Sequence, residues 1–193
     1  MTERAEREFQ IQFEADHDPL TDLFNRRAGE KRLKKALREC AKHGQHLVLM
    51  MIDLDKFKPI NDTYGHEAGD KVLIEIANRF KKRFNNNTDI CIRLGGDEFI
   101  VAQQINNYDK SSTQNQAIAL LDELQQDISI SQTKKCAVGA SIGIAVAPND
   151  GNELLELMFN ADKMLYHVKE TGRGNVAFYD ELKNKMLLSI LNN

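Results

Sequence analysis

The apolar run from Leu47 to Ile52 stops abruptly at Asp53, and it constrains the fold more than any other stretch of the chain. It is too short for a typical helix and shows no alternation with polar residues, which predicts a strand covered on both faces. After a loop containing Pro59, a helix is expected over residues 67–84, with Val72, Leu73, Ile76, Ala77 and Phe80 on one face. Two short β-type runs follow, residues 90–94 and 99–103, joined by Gly95-Gly96-Asp97-Glu98, a glycine-containing connection of hairpin length. A helix carrying Ala117, Leu120, Leu121 and Leu124 leads into a strand-rich run over 136–147. The order strand, helix, strand, strand, helix, strand is the split βαβ or ferredoxin-like arrangement, an α/β (α+β) fold with a central, mainly antiparallel sheet flanked by helices. A helix over 153–169 that ends at Gly172 and a short strand over 176–179 add to that core.

The flanks read differently. Residues 1–17 form a charged helix with Phe9 and Phe13 one turn apart, closed by the Asp18-Pro19 turn, and look like a linker. Leu33, Ala36, Leu37 and Cys40 recur at helical spacing over 25–42, with Gly44 just past the end. Leu182, Met186, Leu187, Ile190 and Leu191 give residues 181–193 the pattern of a terminal helix. The 193 residues thus divide into a linker, one main domain over 18–180 with room for a sizeable core, and a terminal helix that can lead to a further domain.

Composition narrows the function classes. Lys and Arg total 26 against 29 Asp and Glu, a net charge of −3, so no general positive field is available for a nucleic-acid backbone. Hydrophobic residues make up 41% and charged residues 28%, ordinary values for a folded, water-soluble domain. Cys40, Cys91 and Cys136 are odd in number and far apart, which argues against a disulfide framework or a thiolate metal site and fits a reducing cytosol. The N-terminus lacks the apolar region of a signal peptide, and the longest apolar stretch, 137–147, is too short to span a bilayer. The expected location is the cytoplasm, without direct membrane contact.

In the expected topology the third strand lies antiparallel between the first two, which brings the end of the first strand and the hairpin to one edge of the sheet. Asp53 and Asp97 are therefore expected to be neighbours. Carboxylates at such a place suit Mg²⁺, which takes one or two of them and fills its remaining positions with substrate phosphates. A pair of such ions roughly 3.5–4 Å apart would serve in-line displacement at phosphorus. Gly95 and Gly96 would let backbone approach a nucleotide closely. Taken singly, each feature has a plainer alternative. Asp53 and Asp55 also read as turn residues, Gly95-Gly96-Asp97 as an ordinary hairpin, and Lys169 and Arg173 as complements to a helix dipole. His66-Glu67 lacks the second histidine of a zinc helix; His43 and His46 read as solvated surface, and Met50, Met51 and the cysteines as core.

The string Arg93-Leu94-Gly95-Gly96-Asp97-Glu98-Phe99 resembles the signature of the GGDEF domain family of diguanylate cyclases. Asp18-Pro19-Leu20-Thr21 through Arg27 resembles that family's opening motif, and Asp53-Leu54-Asp55 through Asp70 its metal and guanine segment. Ala161-Asp162-Lys163-Met164-Leu165-Tyr166 through Lys169-Glu170-Thr171-Gly172-Arg173 resembles its closing motif. Four motifs in register, from about Asp18 to Tyr179, outweigh the separate alternatives, and the implied core is similar to the palm of nucleotidyl cyclases and polymerases.

The resemblance implies condensation of two GTP into cyclic di-GMP with release of two pyrophosphates, each half-site holding one GTP in one subunit of an antiparallel homodimer. It places two Mg²⁺ ions, or Mn²⁺ in their stead, on Asp53, the carbonyl of Leu54 and Asp97. It puts the guanine edge on Asn61 and Asp70, and the β and γ phosphates before Lys58, Lys169 and Arg173. A carboxamide and a carboxylate match guanine's hydrogen-bonding edge, and Lys169 and Arg173 are one turn apart, so both cations can reach one triphosphate. Glu98 is implied either as a metal ligand or as the base for the 3′-hydroxyl; with Asp97 it is assigned to catalysis.

One departure concerns the inhibitory product site, an Arg-x-x-Asp motif in many members. Here Asp89 is present but Asn86 takes the arginine's place, and a neutral amide cannot make the bidentate phosphate contact of a guanidinium. Weak or absent product inhibition is expected unless Arg83 compensates, and submicromolar binding of cyclic di-GMP in a titration would contradict it. Rival readings are a catalytically silent GTP-binding regulatory module of a larger signalling protein, a protein-interaction scaffold, and a cyclase of another nucleotide such as ATP. A covalently linked sensor or phosphodiesterase domain is expected beyond this chain.

Overall fold

A computed structural model describes residues 3–184 of the chain. In chain order the elements are α1 (Glu3–Asp16), β1 (Phe24–Asn25), α2 (Arg26–His43), β2 (His46–Asp55), α3 (Phe57–Tyr64), α4 (His66–Arg83), β3 (Ile90–Gly95) and β4 (Glu98–Ile105). There follow α5 (Lys110–Leu124), β5 (Ile128–Ser129), β6 (Lys135–Cys136), β7 (Gly139–Ala147), α6 (Leu154–Glu170) and β8 (Val176–Phe178). The main sheet has the order β1-β3-β4-β2-β7-β8, and β5 pairs with β6 apart from it. Within it, β3-β4-β2-β7 is the expected ferredoxin-like core, with β4 antiparallel to both neighbours. The added strands β1 and β8 pair in parallel with β3 and β7 at the two edges.

The apolar run is indeed a strand covered on both faces. Val48, Met50, Ile52 and Leu54 point into one core with α4 and α5, whereas Leu47, Leu49 and Met51 point into a second core with α2 and α6. Period-two alternation therefore decides which side of the sheet each later residue of β2 faces. Gly143 of β7 sits where α6 crosses. A Cβ there would collide with the backbone carbonyl of Ala161 and the amide of Leu165, so the helix rests directly on the strand.

Local signals explain several boundaries. Asn25 caps α2 by accepting from the Ala28 amide at 3.0 Å, and Gly44 closes the same helix in the left-handed region at φ 67°. Asp109 caps α5 in the same manner, through the Ser112 amide at 2.7 Å. The stretch expected as a loop around Pro59 is instead the helix α3. Proline is tolerated there because it stands in the first turn, whose amides have no intrahelical acceptor. Its start, Lys56, is left-handed at φ 59° and makes no side-chain cap, so the usual start signal is missing.

His46, expected at the solvated surface, is half-buried instead, because it opens β2 and stacks on Tyr108 with ring centroids 5.2 Å apart. All three cysteines and both Met50 and Met51 are buried. Residues 179–184 begin the expected terminal helix, and Leu182 packs beside Met164, Val168 and Ala177; the remainder of that expectation lies outside the described residues. Among the described residues no helix is long and apolar enough to cross a membrane.

Candidate active site

The end of β2 and the β3–β4 hairpin meet as the topology requires. Asp53 stands opposite Glu98 in the antiparallel register, and the Leu54 amide donates to the Asp97 carbonyl at 3.2 Å. At the hairpin tip Gly95 and Gly96 have φ of 144° and 55°, and a Cβ at either would meet open space. The tip is thus bare backbone in a conformation that glycine adopts freely.

Arg93 fixes this hairpin. Its guanidinium donates through Nε and Nη2 to the Gly96 carbonyl at 3.1 and 2.9 Å, and through Nη1 to Asp18 Oδ1 at 3.0 Å. Burial pushes the Asp18 carboxyl up, but bonds from Thr21 and Arg93 outweigh it and leave it below the usual range. The turn after α1 is thereby tied to the hairpin, a link that single-residue reading does not reveal.

Asp53 faces α6. Its Oδ2 lies 2.8 Å from Lys169 Nζ, and the carboxylate is only 13% exposed. Burial raises its pKa above the usual value; Lys169 pulls it down, but the charges of Asp97 and Glu98 push it up again, and the net shift is upward. Asp97 and Glu98 thus oppose ionisation of Asp53 at this end of the sheet. Among the described residues no group of three or more His, Cys, Asp or Glu converges as a metal cage. The carboxylates of Asp53 and Asp97 nevertheless fit a hard, oxygen-ligated cation whose other ligands come from water or phosphate.

Lys58 and Asp70 are exposed and Asn61 is half-buried. Asn61 of α3 lies directly on Gly69 of α4, for a Cβ at Gly69 would strike the Asn61 Oδ1 and come within 3.2 Å of Phe57. Asp70 is the next residue of α4, one position beyond that contact. Arg173 is left-handed at φ 65°, with Nε 3.9 Å from Asp55 Oδ1. Asp55, for which the sequence leaves open either a turn or a place in the metal and guanine segment, is buried at the end of β2. Its spacing two residues after Asp53 puts both on the α6 side.

Asn86 and Asp89 lie at the other end of β3. Asp89 Oδ2 accepts from the amide and side-chain nitrogens of Asn86 at 3.1 and 3.2 Å, and Oδ1 accepts from Gln103 at 3.3 Å. Arg83 is committed to Glu123 at 3.3 Å and to the Gln116 carbonyl at 3.0 Å. A cavity of about 580 Å³, lined in part by Arg32, Lys35 and Asp89, opens on this far side, away from Asp53.

Comparison with other proteins gives the same picture. The family model described as "Diguanylate cyclase, GGDEF domain" matches residues 15–175. The chain is 39% identical over 181 residues to the bifunctional diguanylate cyclase/cyclic di-GMP phosphodiesterase MucR of Pseudomonas aeruginosa, covering 94% of this chain but 26% of that protein. The solved GGDEF domain of TpbB from Pseudomonas aeruginosa superposes with a TM-score of 0.80 at 34% identity, covering 89% of this chain and 99% of that one. The coiled coil and GGDEF domain of DgcB from Caulobacter crescentus, solved in complex with c-di-GMP, gives a TM-score of 0.80 at 27% identity, covering 90% of this chain and 91% of the other. A match spanning both the ferredoxin-like core and the glycine-tipped hairpin beside Asp53 establishes that this chain belongs to the GGDEF domain family.

Proposed function

We propose that this domain is a diguanylate cyclase, joining two GTP into cyclic di-GMP and releasing two pyrophosphates between the facing half-sites of an antiparallel homodimer. The observation that carries the reading is the register that sets Asp53 opposite Glu98 beside a bare glycine tip, with Lys169 paired to Asp53 and Arg173 next to Asp55 at the same end of β2.

Asn61 and Asp70 bind the guanine edge, and Lys58, Lys169 and Arg173 bind the β and γ phosphates. Lys169 passes from Asp53 to phosphate when substrate enters. Asp53, the Leu54 carbonyl and Asp97 are the residues that would hold two Mg²⁺ or Mn²⁺ ions, which when bound neutralise phosphate charge and polarise the α-phosphoryl group. The 3′-oxygen of one GTP forms a bond to the α-phosphorus of the other while the bond from that phosphorus to the bridging oxygen of pyrophosphate breaks. Glu98, exposed on the hairpin, accepts the 3′-hydroxyl proton. Gly95 and Gly96 leave the nucleotide room against the backbone. At the far end of the sheet the Asn86–Asp89 pair lacks a guanidinium, and product inhibition through it is weak.

The test is to incubate the chain with Mg²⁺ and either GTP or ATP and identify products by mass spectrometry. Cyclic di-GMP from GTP, with nothing from ATP, is expected. Bound GTP without product would put a silent regulatory module in its place, and no GTP binding would favour a scaffold.

Gly69→Ala tests the guanine assignment. The colliding atom is the tip of the Asn61 side chain, which can swing aside, so the fold survives while Asn61 leaves its place. GTP affinity measured by calorimetry is expected to fall by about tenfold or more, the cost of one unmade buried hydrogen bond, with the melting temperature nearly unchanged. Wild-type affinity in this variant would remove Asn61 from the site.

A further inference from the structure

We propose that Asp55 is a positioning residue for the phosphate end of the site, anchoring the turn after α6 so that Arg173 faces the triphosphate; this rests on the GTP reading above. Asp55 ends β2 and lies on the same side of the sheet as Asp53, yet its surroundings differ. It is 7% exposed, and its oxygens are already engaged. Ser141 Oγ, itself fully buried on β7, donates to them at 2.8 and 2.9 Å, and the Gly174 amide donates to Oδ2 at 3.0 Å. A carboxylate so enclosed is not free to take a cation. Burying it is costly unless it is paired and hydrogen-bonded, and here Ser141 of β7 and the segment that carries Arg173 share that task.

That segment is held in a conformation it would not adopt alone. Gly172, Arg173 and Gly174 have successive φ values of 122°, 65° and 60°. Glycine does this freely, but a left-handed arginine persists only where the surroundings impose it. Two constraints do so: the Arg173 amide donates to the Val168 carbonyl at 2.9 Å, and the Gly174 amide is fixed by Asp55. The Arg173 Nε then stands 3.9 Å from Asp55 Oδ1, with the side chain 52% exposed and so open to a ligand. Opposite Asp55 in the register is Gly139, where a Cβ would come within 3.1 Å of the Asp55 Cβ, so a larger residue there would crowd this carboxylate. Asp53 and Asp55 thus divide the work: the first pairs with Lys169, and the second orders the backbone under Arg173.

The experiment is a double-mutant cycle read by calorimetry with GTP and with guanosine monophosphate, which lacks the β and γ phosphates. Asp55→Asn preserves the shape and removes the charge. It is expected to weaken GTP binding about tenfold, to leave guanosine monophosphate binding unchanged, and to have no further effect in an Arg173→Ala background. Ser141→Ala, which keeps the carboxylate, should give a smaller loss of the same pattern and covers the case in which Asp55→Asn does not fold. Equal losses for both nucleotides, or additive losses with Arg173→Ala, would overturn the assignment in favour of general stability. Should the wild type bind neither nucleotide, the GTP reading itself fails and takes this inference with it. Wild-type binding of GTP that neither variant alters removes Asp55 alone.

Discussion

Glu98→Gln is expected to bind GTP within about twofold of the wild type and to lose roughly 10²–10⁴ of its turnover, the range that a positioned proton acceptor contributes. The amide has the shape of the carboxylate but cannot take the 3′-hydroxyl proton. Glu98 is exposed and pairs with Asp53 only through the backbone register, so its replacement disturbs no buried contact. Its charge is among the influences that raise the Asp53 carboxyl, and removing it leaves Asp53 more readily ionised. Binding by calorimetry and initial rates by chromatography separate the two effects. Undiminished product formation would take Glu98 out of the mechanism.

Gly143→Ala is expected to cost the most stability of any single methyl addition. The added Cβ meets backbone atoms of Ala161 and Leu165, which cannot rotate away as a side chain can. Overpacking of this kind costs about 3 kcal/mol, the upper part of its usual range, and should lower the melting temperature by roughly 6–12 °C in a domain of this size. Gly29 offers the internal comparison. The nearest atoms a Cβ there would meet belong to the Ile92 side chain and not to backbone, so Gly29→Ala should cost less. Thermal denaturation followed by circular dichroism ranks the two; an unchanged midpoint for Gly143→Ala would mean that α6 does not rest on β7 as described.

The parts of the fold that sequence reveals are those with a period or a sharp stop. The run over 47–52 announces a doubly covered strand because both faces of β2 pack on helices, and the hairpin announces itself through Gly95-Gly96. From these two features and the element order, the neighbourhood of Asp53 and Asp97 follows. β1 escapes because two residues carry no period, and α3 escapes because Lys56 gives no cap and Pro59 reads as a breaker. Lys58, Asn61 and Asp70 are ordinary polar residues on a helical surface, visible as candidates only through the family resemblance. The roles of Asp18 and Asp55 depend on partners far along the chain, Arg93 in one case and Ser141 and Gly174 in the other. Such pairings belong to the tertiary structure, and no local pattern specifies them.

In the proposed reaction two copies of this chain each bring one GTP to a shared site. It is tested most directly by the initial rate of cyclic di-GMP formation at saturating GTP and Mg²⁺ as protein concentration is raised, beside an Asp97→Ala control. The rate is expected to climb faster than linearly until dimerisation saturates, with no product from the control. A strictly linear rate across a range in which sedimentation shows monomer becoming dimer, or cyclic di-GMP from the Asp97→Ala protein, would contradict it.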